Sequence, residues 1–156
     1  MADPARDSDE SEHILCDTSF VSLVDVASAR PDLIAHWPQA VRARLDVAVL
    51  AITVFVLGEL RSGRIKAGWN EQRIEKAERA LAAYLFVPVD PEVLDCYVGL
   101  RARYLSQLGD NDLWIAATAK ARGWPLVACD LDFCRLKTEI ELIYLPHKPD
   151  SPSECP

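Results

Sequence analysis

The sequence predicts an α/β fold, a mostly parallel sheet with helices on both faces, and three observations predict it. Short apolar runs of strand type alternate with longer segments of helical period along the chain, without an internal repeat. Val47 to Thr53 is apolar almost throughout, as expected of a parallel strand covered on both sides. Residues 109–133 read as one helix feeding one buried strand, with acids at both ends.

Residues 1–11 are rich in Asp, Ser and Glu and poor in apolar groups, so a disordered acidic leader is expected there. His13 to Asp17 is a short buried strand ending in an acid, and Thr18 or Ser19 can cap the helix that follows. Phe20, Val21, Leu23 and Val24 supply that helix with its apolar face. Pro31 and Pro38 punctuate two short helical pieces, the second over about Gln39 to Leu45. After the Val47–Thr53 strand, Thr53 is a plausible cap for a helix from Val54 to about Lys66. Gly68-Trp69-Asn70 is a loop. Glu71 to Tyr84 carries Ile74, Ala77, Leu81 and Tyr84 on one stripe.

Pro88 makes the Phe86–Val89 segment an edge strand or a strand end. Pro91 opens a helix to about Leu108, with Val93, Tyr97, Leu100, Tyr104 and Leu108 in register. The two stripes, 74–84 and 93–108, predict a helical pair with a groove able to take a partner's helix. In the next helix, Asp110, Asn111 and Asp112 favour the start. Lys120, Arg122, Gly123 and Pro125 mark its end. Leu126-Val127-Ala128 is the strand that delivers Asp130, and Leu142 to Leu145 is the last strand. Residues 12–145 thus form one folded domain, and 146–156, with four prolines, a loose tail.

At 156 residues the chain can bury a sizeable core. Its apolar runs are too short to span a bilayer, and its start lacks a signal-peptide pattern, so a cytoplasmic protein is expected. Five cysteines without a Cys-x-x-Cys pair argue against structural zinc, and Cys16 and Cys129 read as buried reduced thiols. Seventeen Lys and Arg against 24 Asp and Glu give a net charge of -7. A protein gripping nucleic acid through charge alone should be basic. Any polyanion must therefore be met through cations or a local basic patch, for which Arg61, Arg64, Lys66 and Arg135 are candidates. Trp69 and Trp124 could stack a base, although packing explains them as well.

Asp17, Glu59, Asp112 and Asp130 stand out, with Asp132 and Asp110 beside them. Singly, most serve as caps or turn residues. Glu59 resists that reading, because it is the lone ionisable residue between Asp46 and Arg61. Burying it costs several kcal/mol, about as much as for any unpaired carboxylate, unless its charge is compensated. Converging acids are tenable at neutral pH only when protons or metal ions neutralise them. Oxygen donors without His or Cys select hard cations, Mg²⁺ or Mn²⁺. Such a site suits phosphodiester hydrolysis.

The runs Ile-Leu-Cys-Asp17-Thr-Ser, Thr-Val-Phe-Val-Leu-Gly-Glu59-Leu, Asn-Asp112-Leu-Trp-Ile-Ala-Ala-Thr-Ala and Leu-Val-Ala-Cys-Asp130-Leu-Asp132-Phe together resemble the PIN-domain ribonucleases. The likeness spans about residues 13–145 and is greatest to the VapC-type toxins of bacterial toxin–antitoxin pairs. It implies an α/β/α sandwich with a central, mostly parallel sheet. It also implies Mg²⁺- or Mn²⁺-dependent endoribonuclease activity on structured RNA such as transfer or ribosomal RNA. Inhibition by a VapB-like antitoxin and a homodimer are implied too. By motif match Asp17, Glu59, Asp112 and Asp130 are the catalytic, metal-binding acids and Asp132 an accessory ligand, while Asp110 lies outside the motif. The chain departs from many relatives at Val56, where they carry a hydroxyl three positions before the helical acid; Thr53 is retained.

Other readings fit less well. There is no Gly-x-Ser-x-Gly elbow and no Gly-rich phosphate loop, and His13, His36 and His147 lie in unrelated settings. A phosphoacceptor receiver would need an acidic pair at the first strand, and a haloacid-dehalogenase-like phosphatase a second Asp two residues after Asp17. A catalytically inactive PIN fold serving as an RNA- or protein-binding module is the remaining alternative; the presence of all four motif acids counts against it.

Overall fold

The computed structural model of the chain describes residues 11–156, so most of the predicted leader lies outside the described residues. Strand β1 (His13–Cys16) is followed by α1 (Thr18–Ala27), a 3-10 turn (Pro31–Ile34) and α2 (Gln39–Val47). Then come β2 (Val49–Thr53), α3 (Val54–Lys66), α4 (Glu71–Leu81), β3 (Leu85–Val87) and α5 (Pro91–Tyr104). Helix α6 (Asp110–Arg122), β4 (Leu126–Ala128), a second 3-10 turn (Leu131–Leu136) and β5 (Leu142–Tyr144) complete the described chain.

The five strands form one sheet in the order β3-β2-β1-β4-β5, and every pairing is parallel. His13 lies beside Val49 on one side of β1, and Leu15 beside Leu126 on the other. The chain thus winds outward from β1 through β2 to β3, then returns to the far side of β1. That reversal opens a crevice at the carboxyl ends of β1 and β4, where α/β sheets bind their ligands. Ile14, Leu15, Cys16, Leu126, Val127 and Ala128 are wholly buried, as the central strands of a sheet covered on both faces must be.

Local chemistry sets the helix ends that matter for the crevice. The Thr53 hydroxyl accepts from the Val56 N–H and starts α3 at the end of β2. Asp17 caps α1, its carboxylate accepting from the Phe20 N–H, so the cap is this acid and not Thr18 or Ser19. Helix α6 is nearly encased: Leu113 and Ile115 to Ala119 are all buried, and the small side chains of Ala116, Ala117 and Ala119 admit close neighbours. Gly123, at φ 64°, ends it in the left-handed conformation, where a Cβ would be strained.

Two helices stop short of their apolar periods. In α4 the last bonds tighten to the 3-10 pattern at Ala83 and Tyr84, and in α5 the turn closes with Gln107 and Leu108 bonded to the Tyr104 carbonyl. The predicted pairing of the two stripes is not formed. Helix α5 packs along α6 instead, while α4 is tied to α3 by Arg61 and Arg64, which both bind Glu78. An amphipathic stripe specifies a face to be buried but not the neighbour that buries it, and here the strand order decides.

Residues 146–156 contain neither helix nor strand, yet they are tethered at both ends. The Pro146 carbonyl accepts from His36 Nε2 at 2.8 Å and Trp37 Nε1 at 2.9 Å. Cys155 forms a disulfide with Cys134 in the second 3-10 turn, and Lys137 donates to the Pro156 carbonyl. Cys16 and Cys129 are buried free thiols, as the sequence suggests.

Closing a loop of 21 residues, the disulfide should contribute about 3 kcal/mol by chain entropy. Cys155→Ser is therefore expected to lower the urea-unfolding free energy by about that amount in oxidising buffer. In the presence of a thiol reductant, parent and variant should unfold alike.

Candidate active site

The crevice collects its acids from four separate stretches of chain. Asp17 leaves β1 and is buried, 3% exposed. One of its oxygens accepts from the Phe20 N–H at 2.9 Å and the other from the Ser19 hydroxyl at 2.6 Å. Ser19 Oγ in turn accepts from the Cys129 N–H at 3.2 Å, so one hydroxyl joins the exits of β1 and β4. Asp130 follows Cys129 and caps the second 3-10 turn, accepting from the Asp132 N–H at 2.9 Å.

Glu59 reaches the crevice from the second turn of α3 and is held from two sides. Thr18 Oγ1 donates to one of its oxygens, and Asn111 Nδ2 to the other at 2.9 Å. Asp112 is half-buried in the first turn of α6, beside the backbone of Gly109. Glu59 is thus tied to residues adjacent to Asp17 and Asp112.

The acids act on one another. Burial, then the charges of Glu59, Asp130, Asp17 and Asp132, push the Asp112 carboxyl up to about 6. Asp17 is likewise pushed up to about 6, chiefly by burial, against the lowering effect of its bonds from Ser19 and Phe20. Among the described residues, no Lys, Arg or His forms an ion pair with Asp17, Glu59, Asp112 or Asp130, and Arg135 lies 3.8 Å from Asp132. The donor chemistry, oxygens with uncompensated negative charge, fits a hard divalent cation. The side chains are not closed into a ligand shell: among the described residues, no three His, Cys, Asp or Glu groups are grouped to hold an ion.

The other candidates separate. Asp110 turns away to α5, accepting from the Tyr97 hydroxyl and lying 3.6 Å from Arg101. Arg61 and the buried Arg64 are committed to Glu78 and do not line the entrance. Lys66 lines a cleft beside Glu59. Trp69 packs under Arg73, 3.7 Å from its ring, and Trp124 stacks on His13, so packing accounts for both. The residues that sequence reasoning misses are Thr18, Ser19 and Asn111, which orient the acids. Their signal was adjacency to Asp17 and Asp112, but a hydroxyl or amide at a helix start looks the same whether it caps backbone or steers a carboxylate.

Comparison with known proteins identifies the family and the fold. The PIN domain model matches residues 14–139. Ribonuclease VapC5 of Mycobacterium tuberculosis is 34% identical over 103 residues, covering 60% of this chain and 76% of that protein. The crystal structure of VapBC-5 from the same species superposes with a TM-score of 0.62 at 25% identity, covering 85% of this chain and 98% of that one. VapBC2 of Rickettsia felis, bound to a DNA fragment from its promoter, gives a TM-score of 0.67 at 24% identity with the same coverage. The chain belongs to the PIN-domain family, as one of its VapC-type ribonuclease toxins.

Proposed function

We propose that this chain is a Mg²⁺- or Mn²⁺-dependent endoribonuclease that hydrolyses RNA phosphodiester bonds with water as the nucleophile. The observation that carries the reading is the convergence of four stretches of chain on one crevice. There Thr18 and Asn111, the neighbours of Asp17 and Asp112, hold Glu59, and Ser19 joins Asp17 to the exit of β4. Burial, then the charges of the other acids, raises the Asp112 carboxyl there. Asp17, Glu59, Asp112 and Asp130 would hold the cation, with Asp132 as an accessory ligand. A bound divalent ion supplies charge for the phosphate oxygens and lowers the pKa of water. Thr18 and Asn111 fix the Glu59 carboxylate, and Ser19 fixes that of Asp17, so the donors are pre-aimed. Water attacks phosphorus and the bond to the leaving oxygen breaks, with no side-chain nucleophile. Transfer or ribosomal RNA is the substrate class by family likeness.

The same reading includes a VapB-like antitoxin and a homodimer, in the cytoplasm. The solved VapBC neighbours support the first. Both partners need apolar surface, and α5 leaves Leu94 and Val98 exposed, with Leu105 exposed just beyond its end. Among the described residues no helix is long and apolar enough to cross a membrane.

Mn²⁺ at about 100 times its dissociation constant should add about 2.7 kcal/mol of stability and raise Tm by several degrees. That rise should disappear in Asp17→Asn and Asp112→Asn, and both variants should lose RNA cleavage by about 100-fold or more. An unchanged Mn²⁺ effect in the variants sinks the metal site. A parent that binds Mn²⁺ and RNA without cleaving RNA is a binding module. Thr18→Val or Asn111→Ala should cost about 10- to 100-fold in metal affinity or rate while leaving Tm without metal little changed.

The raised carboxyls set the sign of the pH dependence. An acid with a folded pKa near 6 and an unfolded value near 3.8 keeps its proton longer in the fold. Metal-free stability should therefore fall as pH rises from about 4 to about 6 and level off above. Asp112→Asn, free of that penalty, should be more stable than the parent at pH 7.5 by about 1 kcal/mol, discounted for its partial exposure. The advantage should vanish near pH 4. Urea midpoints at the two pH values, with a chelator present, measure both.

A further inference from the structure

A cleft of about 430 Å³ opens along α3 directly beside Glu59, bounded by Phe55, Gly58, Glu59, Gly63, Lys66 and Asn111. We propose that it is a nucleotide subsite, in which the base next to the scissile phosphate stacks on Phe55 and a neighbouring phosphate meets Lys66. The inference rests on the ribonuclease reading above and adds to it where the strand lies and which residues grip it.

The first argument is continuity. Glu59 and Asn111, which bond to each other at 2.9 Å, belong to both the acid crevice and the cleft, so a strand held at the acids enters the cleft without crossing a barrier of protein. The second is the aromatic wall. Phe55 lies one helical turn before Glu59, on the same side of α3. Its ring is parallel to Trp114 at 5.3 Å, and Trp114 is parallel to Tyr97 at 3.6 Å. A half-buried ring braced by two others keeps its position when a flat partner arrives, and every base offers a flat partner.

The third is the pair of glycines. Gly in a helix interior is the least favourable residue after Pro. Neither Gly58 nor Gly63 has a positive φ, and a Cβ on either would meet nothing within 4 Å. The fold itself does not require glycine at these positions, and the room they leave belongs to the cleft. The fourth is charge. Arg61 and Arg64 are paired with Glu78, whereas Lys66 makes no ion pair among the described residues. It lies about 10 Å along the helix axis from Glu59. In an acidic protein, an unspent cation beside a hydrolytic site is where the next phosphate gains most.

The test uses short single-stranded oligoribonucleotides bound to the full chain with Ca²⁺ in place of Mn²⁺, read by fluorescence anisotropy, with cleavage in Mn²⁺ measured in parallel. Gly58→Leu fills the cleft and should hold or raise Tm, so its loss of binding is not misfolding. It and Phe55→Leu should each weaken RNA binding about tenfold. An abasic residue at the stacked position should weaken the parent by the same factor and leave Phe55→Leu unaffected. Lys66→Gln should lower the salt slope of binding by about one. The Mn²⁺-induced rise in Tm should persist in all three variants. Unchanged RNA affinity and unchanged kcat/KM in Gly58→Leu would overturn the subsite alone, and the ribonuclease reading would stand. Altered oligomeric state in Gly58→Leu and Phe55→Leu with RNA affinity intact would make the cleft a contact between copies and overturn it too. A parent that neither binds nor cleaves RNA overturns both.

Discussion

Mutual repulsion among carboxylates at the carboxyl end of the sheet is the constraint around which the other features arrange themselves. Four other acids act on Asp112, and burial denies Asp17 and, in part, Asp112 the water that would otherwise screen their charge. A fold accepts this only where the surrounding structure over-determines the position of each side chain. Here the strand ladder does so: the Asp17 N–H bonds to the Val127 carbonyl, and the Cys129 N–H to Ser19. Asp17 and Asp130 cannot separate without breaking the pairing of β1 with β4.

The same topology explains why the helices contribute as they do. Helix α3 begins where β2 ends, so its second turn lies over the crevice, and Thr53 fixes its phase through a buried hydroxyl. Helix α6 begins at Asp110 and runs inward, clamped by α5 on its outer side, which sets Asp112 and Asn111 on the rim. Asp110 and Asp112 are two residues apart and therefore face different ways. The structure spends the first on Tyr97 and Arg101 and leaves the second to the cluster. Arg61 and Arg64 of α3 are absorbed in holding α4, so the cluster keeps its charge.

Legibility followed locality. The span of α3 could be read because both its ends are written in neighbouring residues, the Thr53 cap and the Gly68 loop. The strand-end acids could be read for the same reason, since each follows directly from a strand or opens a helix. The end of α5 could not, because Leu108 continues the apolar period and is buried even though the backbone turns at Tyr104. The partners of α4 and α5 depend on strand order, a property of the whole chain. The Cys134–Cys155 bridge joins two irregular segments, where no periodicity marks which thiols meet. The bonds from Thr18 and Asn111 to Glu59 span 41 and 52 residues, and nothing local to those positions reveals them.

The net charge of -7 then acquires a mechanistic sense. At physiological salt the Debye length is about 8 Å, so an approaching phosphate responds mainly to charges near its landing point. Under the proposed function that point carries several carboxylates, and RNA is repelled there until a divalent ion reverses the local sign. Ion and RNA affinities are then linked: whatever factor the ion contributes to RNA binding, RNA must return to ion binding. A basic active site would hold RNA whether or not it could cut. An acidic one, with Lys66 as a minor foothold, holds RNA tightly only when it is loaded to react, and a partner that covers or displaces the ion removes binding and cleavage together.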